Sequence, residues 1–321
     1  METSTKEIIS ASIRRTRIRE RAGDRLFRYV VMAFGGVVIL LAVAMFIKLA
    51  VTSKLAWESF GFSFLWTSTW DPVEEIFGAL PFIYGTVVSS LIALLIAVPL
   101  GLGSAIFLAE LTPKKISSAL TFLIELLAAI PSVILGLMGI FILIPMVRSV
   151  EPALIKYLGF LPFFQGHPYG VGLLTAGIIL SIMILPYITT ISRDVILSVP
   201  RPLKEGALAL GATHWETIRM VVIPYARPAI LGSIFLALGR ALGETMAVTM
   251  VIGNTPKISL SLLDPAYTMS AVLANEFAEA TSDLHVHSLI AIALVLFCMT
   301  ILINGLARLM IYKLNIRSSK I

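Results

Sequence analysis

The stretch GTVVSSLIALLIAVPLGLGSAIFL, residues 85–108, has no charged side chain in 24 positions. A helix of roughly 20 apolar residues spans the hydrocarbon core of a bilayer, about 30 Å thick, so this stretch predicts a transmembrane helix. Five similar stretches bring the predicted spans to six: residues 29–51, 85–108, 119–147, 170–191, 229–252 and 288–311. Because lipid cannot satisfy unpaired backbone groups, the sequence predicts an all-α membrane protein.

Lys and Arg residues are distributed unevenly among the segments outside the spans. The two terminal tails, residues 112–118 and residues 192–228 contain 18 of the 25 Lys and Arg residues, whereas the loops on the opposite side contain 4. Segments rich in Lys and Arg stay in the cytoplasm, so both termini are predicted to be cytoplasmic. The expected location is a bacterial or archaeal cytoplasmic (inner) membrane, which the chain crosses several times.

Five segments follow from these spans. They are a basic cytoplasmic tail at 1–28, a first transmembrane helix at 29–51, an aromatic-rich periplasmic loop at 52–84, a transmembrane domain at 85–312 with a cytoplasmic loop at 193–228, and a cytoplasmic tail at 313–321. The basic tail beside a span suits membrane lipid rather than nucleic acid, so no nucleic-acid partner is predicted. The aromatic loop suits an interfacial anchor or a landing surface for an extracytoplasmic partner.

The cytoplasmic loop at 193–228 is too polar for lipid and contains two helical patterns. A short helix is predicted from Leu203, and Gly211 then permits a left-handed turn. A second amphipathic helix is predicted over residues 215–222 and is expected to stop at Pro224. The result is a helix, a turn and a helix on the cytoplasmic side, with too few cations for DNA binding.

This loop resembles the EAA motif of binding-protein-dependent ABC importers. The matching residues are Glu205, Gly206, Ala207, Gly211 and Pro224, with Gly206 in place of an alanine of the motif. In that family the loop inserts into a cleft of the nucleotide-binding subunit, so the resemblance implies that residues 193–228 couple this chain to a separate ATPase. ATP and Mg would then be bound by that partner, and no cofactor is expected here. The chain has no P-loop or hydrolase motif, so it is not predicted to be an enzyme.

The fifth predicted span contains LALGRALGETMAV, residues 236–248, with Arg240 at the predicted bilayer midplane. A charge there costs at least about 2.5–3.5 kcal/mol on insertion scales, so Arg240 is expected to face the bundle interior. Glu244 lies four residues later on the same predicted helical face, which predicts partial neutralisation of the pair. One interpretation is an ion pair that only fixes packing. The other is a guanidinium site for a tetrahedral oxyanion.

Four motifs are similar to those of the PstC-type permease family of phosphate ABC importers: residues 240–248, RALGETMAV; 252–255, IGNT; 273–280, LANEFAEA; and 125–132, ELLAAIPS. The resemblance implies a type I (MetI-like) permease bundle. It also implies partnership with a PstA-like permease subunit, a PstB-like ATPase homodimer and a periplasmic phosphate-binding protein. The cargo implied is inorganic phosphate; transport of another oxyanion, or signalling of phosphate status, remains the alternative.

Two further polar residues are candidates for the substrate pathway. Glu125 is predicted to lie about two turns inside the third span, six residues before Pro131, either as a gating partner or as a snorkelling interfacial residue. Asn254, just beyond the fifth span, is either a helix cap or a substrate contact.

The last outer loop carries Asn275, Glu276 and Glu279. These residues suit contact with the binding protein or an outer gate, and equally a solvated helix face. His285 and His287 have a spacing seen in metal sites, but no third ligand is evident nearby, so no metal site is predicted.

Overall fold

A computed structural model describes the backbone of residues 2–318 and the side chains of Asp24 and residues 26–313. The chain divides into two compact units, Met1–Thr52 and Ser53–Ile321. The first unit is a single helix, α1 (Glu2–Thr52). The sequence predicted a tail up to residue 28 and a transmembrane helix after it, but the helix α1 has no break at residue 28.

Six described helices are long and apolar enough to cross a membrane: Leu26–Thr52, Leu80–Leu111, Ser132–Leu158, Leu173–Leu197, His214–Leu242 and Asp283–Lys313. This confirms the prediction of an all-α membrane protein with six spans. Helices α3 (Leu80–Ile106), α7 (Leu173–Leu197) and α13 (Asp283–Ser318) each form most of one span.

The third span differs from the prediction of residues 119–147. Helix α4 (Lys114–Ala128) ends first, and Pro131 has an extended backbone with φ −57° and ψ 138°. Proline lacks an N–H, and its ring disfavours a helical residue before it. The span therefore begins after Pro131, as α5 (Ser132–Met138), a π-helical turn, and α6 (Ile144–Leu158).

The fifth span is also different. Helix α8 (Arg201–Ala209) is followed by α9 (His214–Thr217), a π-helical turn at Ile218–Val222, and α10 (Ile223–Leu242), and the last three form one continuous helix. The prediction that a helix stops at Pro224 was wrong. Pro224 lies in the first turn of α10, directly after the π-helical turn, and proline is tolerated in the first turn of a helix.

The same helix ends at Leu242, so the predicted span of residues 229–252 is broken. Only the short α11 (Met246–Thr249) follows before a non-helical segment. Gly243 provides the C-terminal cap of α10, and glycine weakens helix continuation.

Residues 53–79 are more structured than the loop predicted there. They form α2 (Lys54–Phe60), a 3₁₀ turn (Gly61–Leu65), and an antiparallel pair of short strands, β1 (Trp70–Asp71) and β2 (Ile76–Phe77). Their aromatic side chains pack with α12 (Met269–Glu276) and the start of α13 in one hydrophobic cluster. This part of the second unit is called the aromatic end below.

Two other hydrophobic clusters hold the second unit together. The larger joins α3, α5, α7, α10 and α11. In it, Gly177 of α7 lies so close to Ile92 of α3 that a Cβ added to the glycine would come within 2.3 Å of the isoleucine side chain. The smaller joins the last turns of α3 and α7 to the start of α10, through Ala105, Ile196 and Ala226. That region, with residues 193–228, is called the coupling end.

Candidate functional site

The coupling end presents α8 and α9 as two helices separated by a tight turn. Gly211 has φ +91°, a conformation that side chains with a Cβ rarely adopt. Thr213 then starts α9 with a capping box, because its hydroxyl accepts from the Glu216 N–H and the Glu216 carboxylate accepts from the Thr213 N–H. Both helices therefore have defined ends around Gly211.

The outer face of this unit is exposed. Glu205 and Gly206 are exposed, Ala207 is half-buried, and Pro224 is exposed. Large apolar side chains are exposed beside them: Leu210 (91%), Trp215 (61%) and Met220 (71%). Contiguous exposed apolar surface marks interaction sites in soluble regions of proteins.

One ion pair fixes α8 to the transmembrane helices. Lys204 of α8 binds Glu110, which lies in the π-helical turn after α3, and both side chains are less than one-fifth exposed. Displacement of α8 would therefore act on the end of α3 as well as on α9.

Arg240 lies two residues before the end of the long helix His214–Leu242. Its guanidinium carbon is 4.8 Å from the centroid of the Tyr187 ring, within cation–π range. Tyr187 is the fifteenth of the 25 residues of α7, about 21 Å from one helix end and about 15 Å from the other at 1.5 Å per residue. The charge therefore lies near mid-height of a span, and its side chain is exposed on the surface of this chain.

Among the described residues, no side chain or carbonyl forms a salt bridge or hydrogen bond with the Arg240 guanidinium. The cation–π contact with the Tyr187 ring uses none of the guanidinium N–H groups as hydrogen-bond donors to an oxygen, so these donors stay available for a ligand. Reasoning from the sequence did not identify Tyr187. A tyrosine in the middle of an apolar span was the available signal, but the distance of 53 positions along the chain gave no reason to pair it with Arg240.

Glu244 does not continue the helix of Arg240, so the predicted pairing across one helical turn was wrong. The helix ends at Leu242, and the Glu244 carboxylate accepts from the Ala247 N–H at 3.4 Å. Its main-chain oxygen accepts from the Ser270 hydroxyl at 2.6 Å. Glu244 thus belongs to the break between α10 and α11.

The other two pathway candidates occupy different places. Glu125 is exposed in the last turn of α4, before the break at Pro131, and not inside the third span as predicted. Asn254 has φ +47°, and its side-chain amide donates to the Thr249 carbonyl at the end of α11. Neither contacts Arg240.

The aromatic end contains a hydrogen-bonded network around Glu276. Its carboxylate accepts from the Trp70 indole at 2.9 Å and lies 3.2 Å from the buried His285 Nε2. Asn275 donates to the Tyr267 hydroxyl at 3.0 Å, and burial raises the pKa of Tyr267 to about 12. Two of the three candidates therefore make internal contacts.

Glu279 is exposed, unlike Glu276 and Asn275. His285 stacks on Phe77, with 5.2 Å between the ring centroids. Within the part of the chain that the structure describes, no three His, Cys, Asp or Glu side chains are grouped to hold a metal ion.

Comparison with known proteins gives the family. Residues 97–316 match the family model described as binding-protein-dependent transport system inner membrane component. The phosphate transport system permease protein PstC of Mesorhizobium japonicum is 50% identical over 300 residues, covering 92% of each chain. The chain belongs to the PstC-type permease family. The PstC protein of Haemophilus influenzae is 45% identical, covering 91% of this chain and 94% of its own.

Solved structures agree on the fold of this PstC-type permease. An inward-facing MetNI methionine ABC transporter has a TM-score of 0.50 at 17% identity, covering 74% of this chain and 94% of its own. A bacterial ABC transporter that imports alginate has a TM-score of 0.51 at 20% identity, covering 71% and 78%. The predicted MetI-like permease fold and PstC-type family are both confirmed.

Proposed function

We propose that this chain is the membrane-spanning permease subunit of an ATP-driven importer of inorganic phosphate, located in the cytoplasmic (inner) membrane. The named function of relatives that are 50% and 45% identical supports phosphate as the cargo. The position of Arg240 carries the proposal within this chain: a charge at mid-height of a span, held by a ring and unpaired among the described side chains.

Arg240 is exposed on the surface of the isolated chain, and a charge at that depth cannot face lipid without a large cost. It must therefore face another protein subunit or a water-filled path. A planar guanidinium with free N–H donors matches two oxygens of a phosphate ion. Arg240 then supplies the attractive charge along a path between this chain and a second permease subunit.

Coupling to ATP hydrolysis follows from the exposed α8–α9 unit. Its apolar side chains, with Leu210 the most exposed, form a surface suited to a cleft in a separate ATPase. The continuous helix His214–Leu242, about 40 Å long at 1.5 Å per residue, begins in this unit and carries Arg240 near its other end. Movement of the ATPase would thus reach the substrate path through one helix.

The assembly we propose contains this chain, a PstA-like permease subunit, a PstB-like ATPase homodimer and a periplasmic phosphate-binding protein. ATP and Mg would be bound by the ATPase, so hydrolysis is assigned to that partner. The exposed Glu279 at the aromatic end is proposed to contact the binding protein, whereas Asn275 and Glu276 hold that end together.

The test is uptake of radiolabelled phosphate by cells that depend on this importer. Arg240→Gln should assemble with its partners and reduce uptake by about 10- to 100-fold, since each hydrogen bond to a charged group contributes about 1.5–3 kcal/mol. Arg148→Gln, at an exposed position of α6 outside the coupling end, is the matched control and should keep uptake. Normal uptake by Arg240→Gln would refute the role of this residue.

A further inference from the structure

A second cationic site lies at the coupling end, separate from Arg240. A cavity of about 410 Å³ opens between the turn after α3 and the facing ends of α4, α7 and α8. Four cations line it: Lys114, Arg193, Arg201 and Lys204. Three hydroxyl side chains line it as well: Thr112, Ser117 and Ser118. No acidic residue is among the lining side chains.

The acidic partners of two of these cations lie outside the cavity. Glu110 binds Lys204, and Asp194 binds Arg193 at 2.9 Å. Lys114 and Arg201 are exposed and form no ion pair within the described part of the chain. The cavity thus keeps a net positive charge after its internal pairs are counted.

Two helices of ordinary length also begin at this cavity. Lys114 is the first residue of α4, and Arg201 is the first residue of α8. Each helix follows a proline, Pro113 or Pro200, and receives no side-chain cap. Uncapped N–H groups and the positive ends of two helix dipoles therefore add to the charge of the four side chains.

We propose that this cavity binds a phosphate-bearing anion. Lys and Arg side chains, hydroxyls and helix N-termini together form the donor set that phosphate oxygens require. The group could belong to the headgroup of an anionic phospholipid, since Leu108 borders both this cavity and an apolar groove between α3 and α4. It could equally be free phosphate. A bound anion would connect α8 to the ends of two spans, beside the Lys204–Glu110 pair.

The experiment uses the full chain in lipid nanodiscs, with Arg240→Gln in every sample so that the transport site does not contribute. The first arm measures binding of radiolabelled inorganic phosphate in phosphatidylcholine nanodiscs. The second measures, by native mass spectrometry, phosphatidylglycerol retained from an equal mixture with phosphatidylcholine. Binding in the first arm identifies free phosphate, and retention only in the second identifies a lipid headgroup; either supports the proposal.

The cavity variant is Lys114→Gln with Arg201→Gln, two exposed positions whose replacement leaves the internal ion pairs intact. It should weaken binding by about tenfold or more, since two of the four cations that would attract the anion are neutralised. The control variant, Lys115→Gln with Arg219→Gln, makes the same charge change at exposed positions outside the cavity. It should bind phosphate or retain phosphatidylglycerol as well as the parent does. The proposal would be overturned if neither arm showed binding, or if the cavity variant bound as well as the parent. It would also be overturned if the control variant lost as much binding as the cavity variant.

Discussion

Replacing Gly211 by alanine should weaken the association of this chain with the ATPase subunit that we propose as its partner. Gly211 has φ +91° in the turn between α8 and α9, and no atom lies within 4 Å of the position a Cβ would take. The cost of the substitution is therefore one of backbone conformation only, about 1–2 kcal/mol for a residue with a Cβ. If the turn rearranges to avoid that cost, the two helices no longer present one surface, and affinity should fall by roughly 5- to 30-fold.

Gly206 provides the matched control. It also lies in open space, but inside α8 and without a positive φ. Alanine there should favour the helix by up to about 1 kcal/mol and leave association unchanged or slightly stronger. The assay is a fluorescence titration of the purified permease with the ATPase subunit in detergent. Equal affinities for Gly211→Ala and Gly206→Ala would contradict the importance of the turn.

Three further predictions concern the contact of Arg240 and the aromatic end. Tyr187→Leu should raise the half-saturating phosphate concentration for uptake about 2- to 30-fold, the range of a cation–π contact, whereas Tyr187→Phe keeps the ring and should change it little. Glu276→Gln removes a charged acceptor shared by Trp70 and His285, and should lower the free energy of unfolding by about 1–3 kcal/mol in denaturant titrations. Burial raises the pKa of Tyr267 from 10.0 to about 12. Its contribution to the stability of the folded chain is therefore complete below pH 10 and is lost as the pH rises towards 12. Tyr267→Phe should lessen this loss of stability when thermal unfolding is measured over a series of pH values.

The six spans could be predicted because membrane insertion depends on summed apolar character, which the sequence states directly. The positions of the helix breaks could not be predicted from the sequence, because proline has different effects in different surroundings. Pro131 separates α4 from α5, whereas Pro99 and Pro186 lie inside α3 and α7. Neighbouring helices can satisfy the groups that a buried proline leaves unpaired, and that tertiary compensation is not visible in a hydropathy pattern.

The candidate site was predicted only in part for a related reason. Arg240 was identified because a charge in an apolar span is costly wherever it lies. Its partner was assigned to Glu244 from helical spacing, which holds only while the helix continues. Gly243 ends the helix between them, and the actual contact, Tyr187, comes from another helix. Residues close in sequence can be paired by periodicity, but a contact between spans depends on packing.

The break at Gly243 ends the long helix at mid-height of the bundle, where Ala237 and Ala241 are buried in the hydrophobic cluster that also contains α11. Leu242 ends α10, while α11 begins at Met246 and packs with α5 and α7 in the same hydrophobic cluster. If the helix were continuous to residue 252, a displacement at α9 would also have to move α11 and its packed neighbours. With the break, no backbone helix joins His214–Leu242 to α11, so we expect a displacement of the long helix to be opposed by side-chain packing alone at this point. We therefore expect the interruption at Gly243 to let Arg240 follow a displacement of α9 without a matching displacement of α11.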